Sequence, residues 1–155
     1  MLDLHSLETS GFDAVICMDN AIPHLKNSEE IIQAAKEIRS RLRPAGSLIA
    51  SIRNYDDLLA QRPIVHGPTF YSAEGSRRVV LQVWDWLGDR EYMFHIYITC
   101  ETVDGWRTTH AASTYRAILR HELTAALNQA GFENIRWLFP VDSGFYQPIV
   151  LARAV

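Results

Sequence analysis

Two short apolar segments joined by one amphipathic helix constrain this chain more than any other feature. The first segment, Phe12–Met18, is almost continuously apolar, and the second, Ser47–Ile52, follows Gly46. Both have the length and composition of buried strands, and the first suits a parallel strand that is buried on both faces. The intervening residues carry one apolar stripe at helical spacing, formed by Ile31, Ala35, Ile38 and Leu42. A strand, helix and strand in this order predict a right-handed crossover between neighbouring parallel strands, and therefore an α/β fold.

The sequence also indicates where this helix begins and ends. Asn27 followed by Glu30 three positions later resembles a capping box at the helix start. The run Pro44-Ala45-Gly46 ends the helix and precedes the second strand. The sequence thus predicts a helix that begins at Ser28 and ends near Arg43.

Polar residues follow both predicted strands at their carboxyl ends. Asp19 and Asn20 follow the first strand, and Arg53-Asn54-Tyr55-Asp56 follows the second. Ligands of open α/β sheets bind outside the carboxyl ends of the strands, and adjacent strands lie about 5 Å apart, so Asn20 and Arg53 should face one crevice. The planar guanidinium of Arg53 suits a carboxylate or a phosphate. Two alternatives stay open: Arg53 pairs with a nearby aspartate in a surface loop, and Asn20 only bonds its own backbone in a turn.

The remainder of the chain changes from an alternating α/β pattern to an antiparallel one and then back. Alternating polar and apolar residues separated by Gly88-Asp89 and Asp104-Gly105 predict three antiparallel strands. Residues 57–62 favour a short helix, and residues 63–68 favour a loop. A second helix should run from Leu119 to Ala130, followed by apolar strands at 135–139 and 147–152. These patterns predict a single domain over 1–155 with an antiparallel β insertion over 63–116.

Composition narrows the classes of function. The chain has 155 residues and a formal charge of −3, and no block of Lys and Arg indicates a nucleic-acid partner. No apolar run approaches the roughly 20 residues that cross a bilayer, and the first residues lack a signal-peptide pattern, so we expect no membrane partner and a cytoplasmic location. The scattered histidines predict no metal site, and Cys17 and Cys100 are expected to be buried thiols rather than a disulfide.

The order of these elements resembles the second half of a class I S-adenosylmethionine-dependent methyltransferase. The resemblance rests on the capped helix, on Leu42-Arg43-Pro44-Ala45-Gly46 before an apolar strand, and on the late helix ending Gln129-Ala130-Gly131-Phe132. More narrowly, residues 12–25 and 52–56 resemble glycine/sarcosine N-methyltransferases. The resemblance implies a Rossmann-like methyltransferase fold that lacks its first three strands and carries an inserted antiparallel β-sheet.

The same resemblance implies roles for particular residues. It assigns S-adenosylmethionine as the cofactor and a small amine or amino acid, such as glycine or sarcosine, as the methyl acceptor. It assigns Arg53 to the acceptor's carboxylate and Asn20 to the orientation of the same molecule. Aromatic groups should surround the acceptor at Tyr71, Tyr97 and Tyr115, although packing within the antiparallel sheet is an equally good interpretation of each. Cofactor contacts are expected at Met1, Leu2, Met18 and Asp19, where Asp19 replaces the small residue usual for the family.

The sequence also departs from the family's pattern. None of its eight glycines forms the Gly-rich loop that approaches the cofactor, and no acidic residue matches the one that binds the ribose hydroxyls. We therefore expect an N-terminally truncated methyltransferase domain with little activity alone, and self-association through the open edge of its first strand. Two alternatives remain: a non-catalytic remnant that acts as a binding module, and a methyltransferase for a larger acceptor.

Overall fold

The computed structural model describes residues 1–4, 6–73 and 76–155, and the chain forms two compact units. Unit 1 comprises Met1–Asp57 and Ile118–Val155, and unit 2 comprises Leu58–Ala117. The predicted insertion, 63–116, falls within unit 2. The strands in chain order are β1 (Phe12–Cys17), β2 (Leu42–Ser51), β3 (Val65–Ala73), β4 (Ser76–Trp86), β5 (Glu91–Thr102), β6 (Gly105–Arg116), β7 (Phe132–Leu138) and β8 (Ile149–Ala154). The helices are α1 (Ser28–Arg41), α2 (Tyr55–Gln61), α3 (Arg120–Gln129) and α4 (Pro140–Ser143), and a 3₁₀ turn spans Ile22–His24.

Unit 1 contains a four-stranded sheet in the order β1-β2-β8-β7. β1 and β2 are parallel neighbours with Ile16 opposite Ile49, while β8 pairs antiparallel with both β2 and β7. The helix between β1 and β2 begins as predicted, because the side-chain oxygen of Asn27 accepts the backbone N–H of Glu30 at 2.8 Å. These contacts confirm the predicted βαβ unit.

The core of unit 1 lies on one face of this sheet. Leu48 and Ala50 of β2 are buried beside Ala152 and Val150 of β8, together with the apolar stripes of α1 and α3. The opposite face, which carries Ile49 and Leu151, stays half-exposed. Since alternate residues of a strand point to opposite faces, helices among the described residues cover one side of the sheet.

The prediction that the first strand is buried on both faces was wrong. Only Cys17 is buried in β1, and Ile16 is 68% exposed. The physical reason is the strand's position: β1 is an edge strand of the sheet, and Ile16 lies on the face that the helices do not cover.

Unit 2 is an antiparallel sheet in the order β3-β4-β5-β6. Its three later strands match the predicted ones almost residue for residue, but residues 65–68, predicted to be a loop, begin a fourth strand. Pro68 is tolerated because β3 is an edge strand and its pairing with β4 shifts register between His66 and Thr69. Proline lacks the N–H that a central strand needs, so an edge position with a local irregularity removes the conflict.

Candidate functional site

Asn20 joins the carboxyl ends of β1 and β2, the place where the sequence predicts a binding crevice. Its side-chain oxygen accepts the backbone N–H of Arg53 at 3.1 Å, and its Nδ2 donates to the hydroxyl of Tyr55 at 3.0 Å. Asn20 is 3% exposed, and Tyr55 is fully buried. Buried polar groups must find partners, and these three residues satisfy one another. Asn20 thus fixes the backbone from which the Arg53 side chain extends, rather than bonding only its own turn.

A second buried connection lies beside the first. The backbone N–H of Asp19 donates to the hydroxyl of Ser51 at 2.8 Å, and that hydroxyl donates to the side-chain oxygen of Gln147 at 2.9 Å. Ser51 and Gln147 are both buried. The connection ties the turn after β1 to the end of β2 and to the segment before β8. Sequence reasoning missed Ser51 and Gln147 as site residues, although a lone serine at the end of an apolar strand was a usable signal, and it placed Tyr55 in the polar run without assigning it a role.

The turn between these connections has an uncommon backbone. Asp19 and Asn20 have φ values of 59° and 69°, in the left-handed region. Non-glycine residues pay a steric cost there, and Asn and Asp tolerate it best because their short polar side chains bond locally. Strained backbone of this kind persists where the surroundings over-determine it, and it clusters at functional sites.

Arg53 lies half-buried at the end of β2, directly beside Asn20. The two nearby aspartates each contact another residue of this region. The carboxylate of Asp56 is 3.3 Å from the guanidinium of Arg120, and that of Asp57 accepts the side-chain amide of Asn54 at 2.6 Å. The predicted proximity of Asn20 and Arg53 is therefore confirmed by their hydrogen bond.

The four residues expected to contact a cofactor lie around the end of β1. Met1 and Leu2 are each about 40% exposed, and the sulfur of Met1 is 3.9 Å from that of Cys17. Burial raises the pKa of the Cys17 thiol, which keeps it protonated at neutral pH. Met18 is half-buried, and Asp19 is exposed with its carboxylate accepting the hydroxyl of Tyr146.

The three predicted acceptor tyrosines, Tyr71, Tyr97 and Tyr115, all belong to the sheet of unit 2, which does not bring them together. Tyr115 lies opposite Tyr92 on β5 and stacks on it at 5.7 Å, whereas Tyr97, five residues further along β5, points to the other face and stacks on His110 at 4.5 Å.

Tyr71 shares the face of Tyr115 but lies far from it along the sheet. It is opposite Arg78, which pairs with Cys100, eight residues from Tyr92 on β5. At about 3.3 Å per residue that separation is roughly 26 Å. The guanidinium of Arg78 lies 4.7 Å above the Tyr71 ring. Roles for these tyrosines at an acceptor stay predictions, and each ring has a packing partner within the sheet.

Among residues 1–4, 6–73 and 76–155, no group of three or more His, Cys, Asp and Glu side chains could hold a metal ion. In the same ranges, every helix is too short or too polar to cross a membrane. A cavity of about 730 Å³ opens on the half-exposed face of the unit 1 sheet, lined in part by Ile49, Leu151, Arg136 and Arg153, and none of the predicted site residues lines it.

Sequence comparison connects the chain with glycine N-methyltransferases. It is 39% identical to glycine N-methyltransferase of Mus musculus over 74 residues, which cover 45% of the chain and 25% of that protein. It is 33% identical to glycine/sarcosine N-methyltransferase of Halorhodospira halochloris over 84 residues, covering 54% of the chain and 31% of that protein. The chain therefore spans less than a third of the length of the curated relatives it matches. No protein-family model matches it.

Structural comparison covers nearly the whole chain. An amino pentose methyltransferase from Micromonospora echinaspora superposes with a TM-score of 0.71 and 20% identity over 99% of the chain and 63% of that protein. An S-adenosylmethionine-dependent methyltransferase from Clostridium acetobutylicum gives a TM-score of 0.73 and 15% identity over 97% and 62%. The Rossmann-like fold expected from the sequence is thus confirmed. The chain thus has part of the fold of S-adenosylmethionine-dependent methyltransferases, and part of its sequence is similar to glycine N-methyltransferases.

Proposed function

We propose that this protein takes part in the transfer of a methyl group from S-adenosylmethionine to a small amino acid such as glycine or sarcosine. The observation that carries the proposal is the position of Arg53, which Asn20 holds at the carboxyl end of β2 beside the end of β1. Similarity to glycine N-methyltransferases supports the choice of acceptor. Arg53 would bind the acceptor's carboxylate through the two parallel hydrogen bonds that a guanidinium can form.

Positioning is the main contribution that these residues can make. The cofactor supplies a methyl group on a positively charged sulfur, and a neutral amine displaces that sulfur in line. Little acid–base chemistry is needed, so a carboxylate fixed by Arg53 mainly serves to aim the amine. Well-oriented reactants gain up to about 7–11 kcal/mol over free ones in the best cases.

The residues at the end of β1 fit part of this cofactor. Met1 and Leu2 present an apolar surface beside Cys17, and Met18 is half-buried next to the turn. Such a surface suits an adenine ring, which is flat and largely apolar on its faces. Asp19 adds a carboxylate at the same place, held by the hydroxyl of Tyr146.

A larger amine is a second candidate acceptor. The Micromonospora neighbour is described as an amino pentose methyltransferase, so this fold also serves amino sugars. An amino sugar has no carboxylate, and Arg53 would then have no anionic partner on the acceptor. The two candidate acceptors, an amino acid and an amino sugar, therefore differ in the carboxylate, which is a group that can be removed from the ligand.

Acceptor binding tests the proposal directly. We would titrate the ¹⁵N-labelled chain with glycine, sarcosine, glycinamide and an amino pentose, and follow the resonances of Arg53 and Asn20. Glycine and sarcosine should shift both, and glycinamide, which lacks the carboxylate, should bind much more weakly. Shifts caused by the amino sugar alone would favour the larger acceptor, and no shift with any amine would favour a non-catalytic binding module.

Two substitutions make the test specific. Arg53→Lys keeps the charge and loses the planar fork, so it should weaken glycine binding about 10- to 150-fold, as expected for the loss of a charge-assisted bond of about 1.5–3 kcal/mol. Arg43→Lys is the matched control, because Arg43 lies near the start of β2, away from Arg53, and pairs with Asp13 at 2.6 Å on the surface. Calorimetry with S-adenosylmethionine should give the same result for both variants. Equal effects of the two substitutions on glycine binding would contradict the carboxylate role.

A further inference from the structure

The polar residues that follow Arg53 are held by an arginine from the second segment of unit 1. Arg120 is the first residue of α3, 66 positions after Asn54. Its guanidinium Nη1 donates to the side-chain oxygen of Asn54 and lies 3.3 Å from the carboxylate of Asp56. The guanidinium carbon also lies 5.1 Å from the centre of the Phe139 ring. The side chain of Arg120 therefore contacts three groups, and two of them belong to the segment that follows Arg53.

Asp56 also caps α3. The N-cap residue of this helix, Leu119, has no side-chain oxygen that could accept a backbone N–H. The carboxylate of Asp56 instead accepts the backbone N–H of Arg120 at 3.3 Å. Because of the helix dipole, a cation in the first turn of a helix is unfavourable and a carboxylate there is favourable. Asp56 thus caps the helix and compensates the charge of Arg120, which ties the start of α3 to the segment after β2.

These contacts fix the backbone of Arg53 from both sides. Asn20 accepts the backbone N–H of Arg53, and Arg120 holds the side chains of Asn54 and Asp56 that follow. Recognition of a carboxylate by two parallel hydrogen bonds depends on orientation, so a residue that contacts the ligand needs support from the residues behind it. The side chains of Arg120 and Asp56 are 25% and 28% exposed, and salt screens such a pair less than a fully exposed one.

We propose that Arg120 is a positioning residue for Arg53. This role rests on the proposed function, because it takes the carboxylate of a small amino acid as the group that Arg53 binds. Arg120 acts without touching the acceptor: it holds Asn54 and Asp56, and through them the direction in which Arg53 extends from the end of β2. Loss of Arg120 lowers the preference of the site for a carboxylate but leaves the charge of Arg53 in place.

The ratio of the affinities for glycine and glycinamide tests the proposal. Both ligands are titrated into the ¹⁵N-labelled chain and followed at the backbone resonance of Arg53. Partial unfolding lowers both affinities by the same factor, whereas a misdirected guanidinium lowers only the affinity that depends on the carboxylate. Arg120→Met should reduce the ratio at least about threefold. Arg120→Lys keeps the charge but loses the planar fork, so it should restore only part of the ratio.

Arg39→Met is the matched control. Arg39 also joins distant segments of unit 1, because its Nε donates to the backbone oxygen of Gly131 at 3.0 Å, but it lies near the end of α1, which precedes the start of β2. Its substitution should reduce stability in urea and leave the affinity ratio unchanged. Circular dichroism shows whether each variant folds. If Arg120→Met does not fold, Asn54→Ala decides the question, because it removes a partner of Arg120, leaves the cap of α3 intact and should also lower the ratio.

The outcomes separate the positioning role from the proposed function. If the wild type prefers glycine and Arg53→Lys removes that preference, but Arg120→Met and Asn54→Ala keep it, the positioning role alone is overturned. If the wild type shows no preference for glycine, or if Arg53→Lys leaves the preference unchanged, the proposed function fails and the positioning role fails with it. A ratio that Arg39→Met lowers as much as Arg120→Met does would also overturn the role, since any loosening of unit 1 would then have the same effect.

Discussion

Substitution of Asn20 by alanine and by glycine should reverse the usual stability order of these two residues. Either change removes the side chain that satisfies the Arg53 N–H and the Tyr55 hydroxyl. Losing hydrogen bonds to such buried groups costs about 1–3 kcal/mol. Alanine must also adopt the φ of 69°, which adds about 1 kcal/mol that glycine avoids. We expect losses of about 2–4 kcal/mol for Asn20→Ala and about 1–3 kcal/mol for Asn20→Gly.

Urea unfolding followed by tryptophan fluorescence measures both losses. The chain has four tryptophans, and equal slopes of free energy against urea would show that only the native state changed. A double-mutant cycle with Tyr55→Phe measures the interaction between the two side chains. Tyr55→Phe should cost about 1 kcal/mol of stability in the wild type and less in Asn20→Gly, where the amide partner is already gone. If Asn20→Ala is as stable as Asn20→Gly, the left-handed turn is not the source of the cost. Losses below about 0.5 kcal/mol for both would refute the buried network itself.

Two further predictions concern titratable side chains. Because burial raises the pKa of Cys17, iodoacetamide at pH 8 should alkylate it at least about tenfold more slowly than Cys100, a difference that urea should abolish; equal rates in the folded protein would contradict its burial. The hydrogen bond from Arg77 lowers the pKa of Glu101. Glu101→Gln should therefore reduce the free energy of unfolding at pH values above the ordinary glutamate pKa of about 4.3. The difference in stability between Glu101→Gln and the wild type should disappear as the pH falls through the lowered pKa. A difference that grows in acid would contradict the pairing.

The βαβ unit could be predicted because each part of it is a local signal. The apolar run, the cap at Asn27 and the stripe on α1 are all readable within a few residues, and the crossover rule supplies the rest. The strand at 65–73 could not be read in the same way. Gly67-Pro68 is a strong turn signal, and only the edge position of β3 makes it compatible with a strand.

The tyrosines show a different kind of limit. Alternation along β5 already places Tyr92 and Tyr97 on opposite faces of the sheet. The sequence therefore indicated that Tyr97 does not share a face with Tyr92. The face of Tyr115 depends on the register between β5 and β6, which the turn at 103–104 sets. The position of Tyr71 in the sheet depends on two strand registers, that of β3 with β4 at Arg78 and that of β4 with β5 at Cys100. No local sequence pattern fixes both registers.

Prediction of the site at the strand ends depends both on local sequence signals and on contacts between residues far apart in the chain. Position alone predicted that Asn20 and Arg53 would be neighbours, and their hydrogen bond confirms it. The partner of Ser51, by contrast, is 96 residues away at Gln147, a distance over which a single sequence carries no pairing signal. Because Asn20 is buried and its amide already bonds two groups, any influence on the proposed acceptor is expected to pass through the backbone of Arg53. A residue in this position must combine a left-handed backbone with an amide side chain, and asparagine meets both requirements.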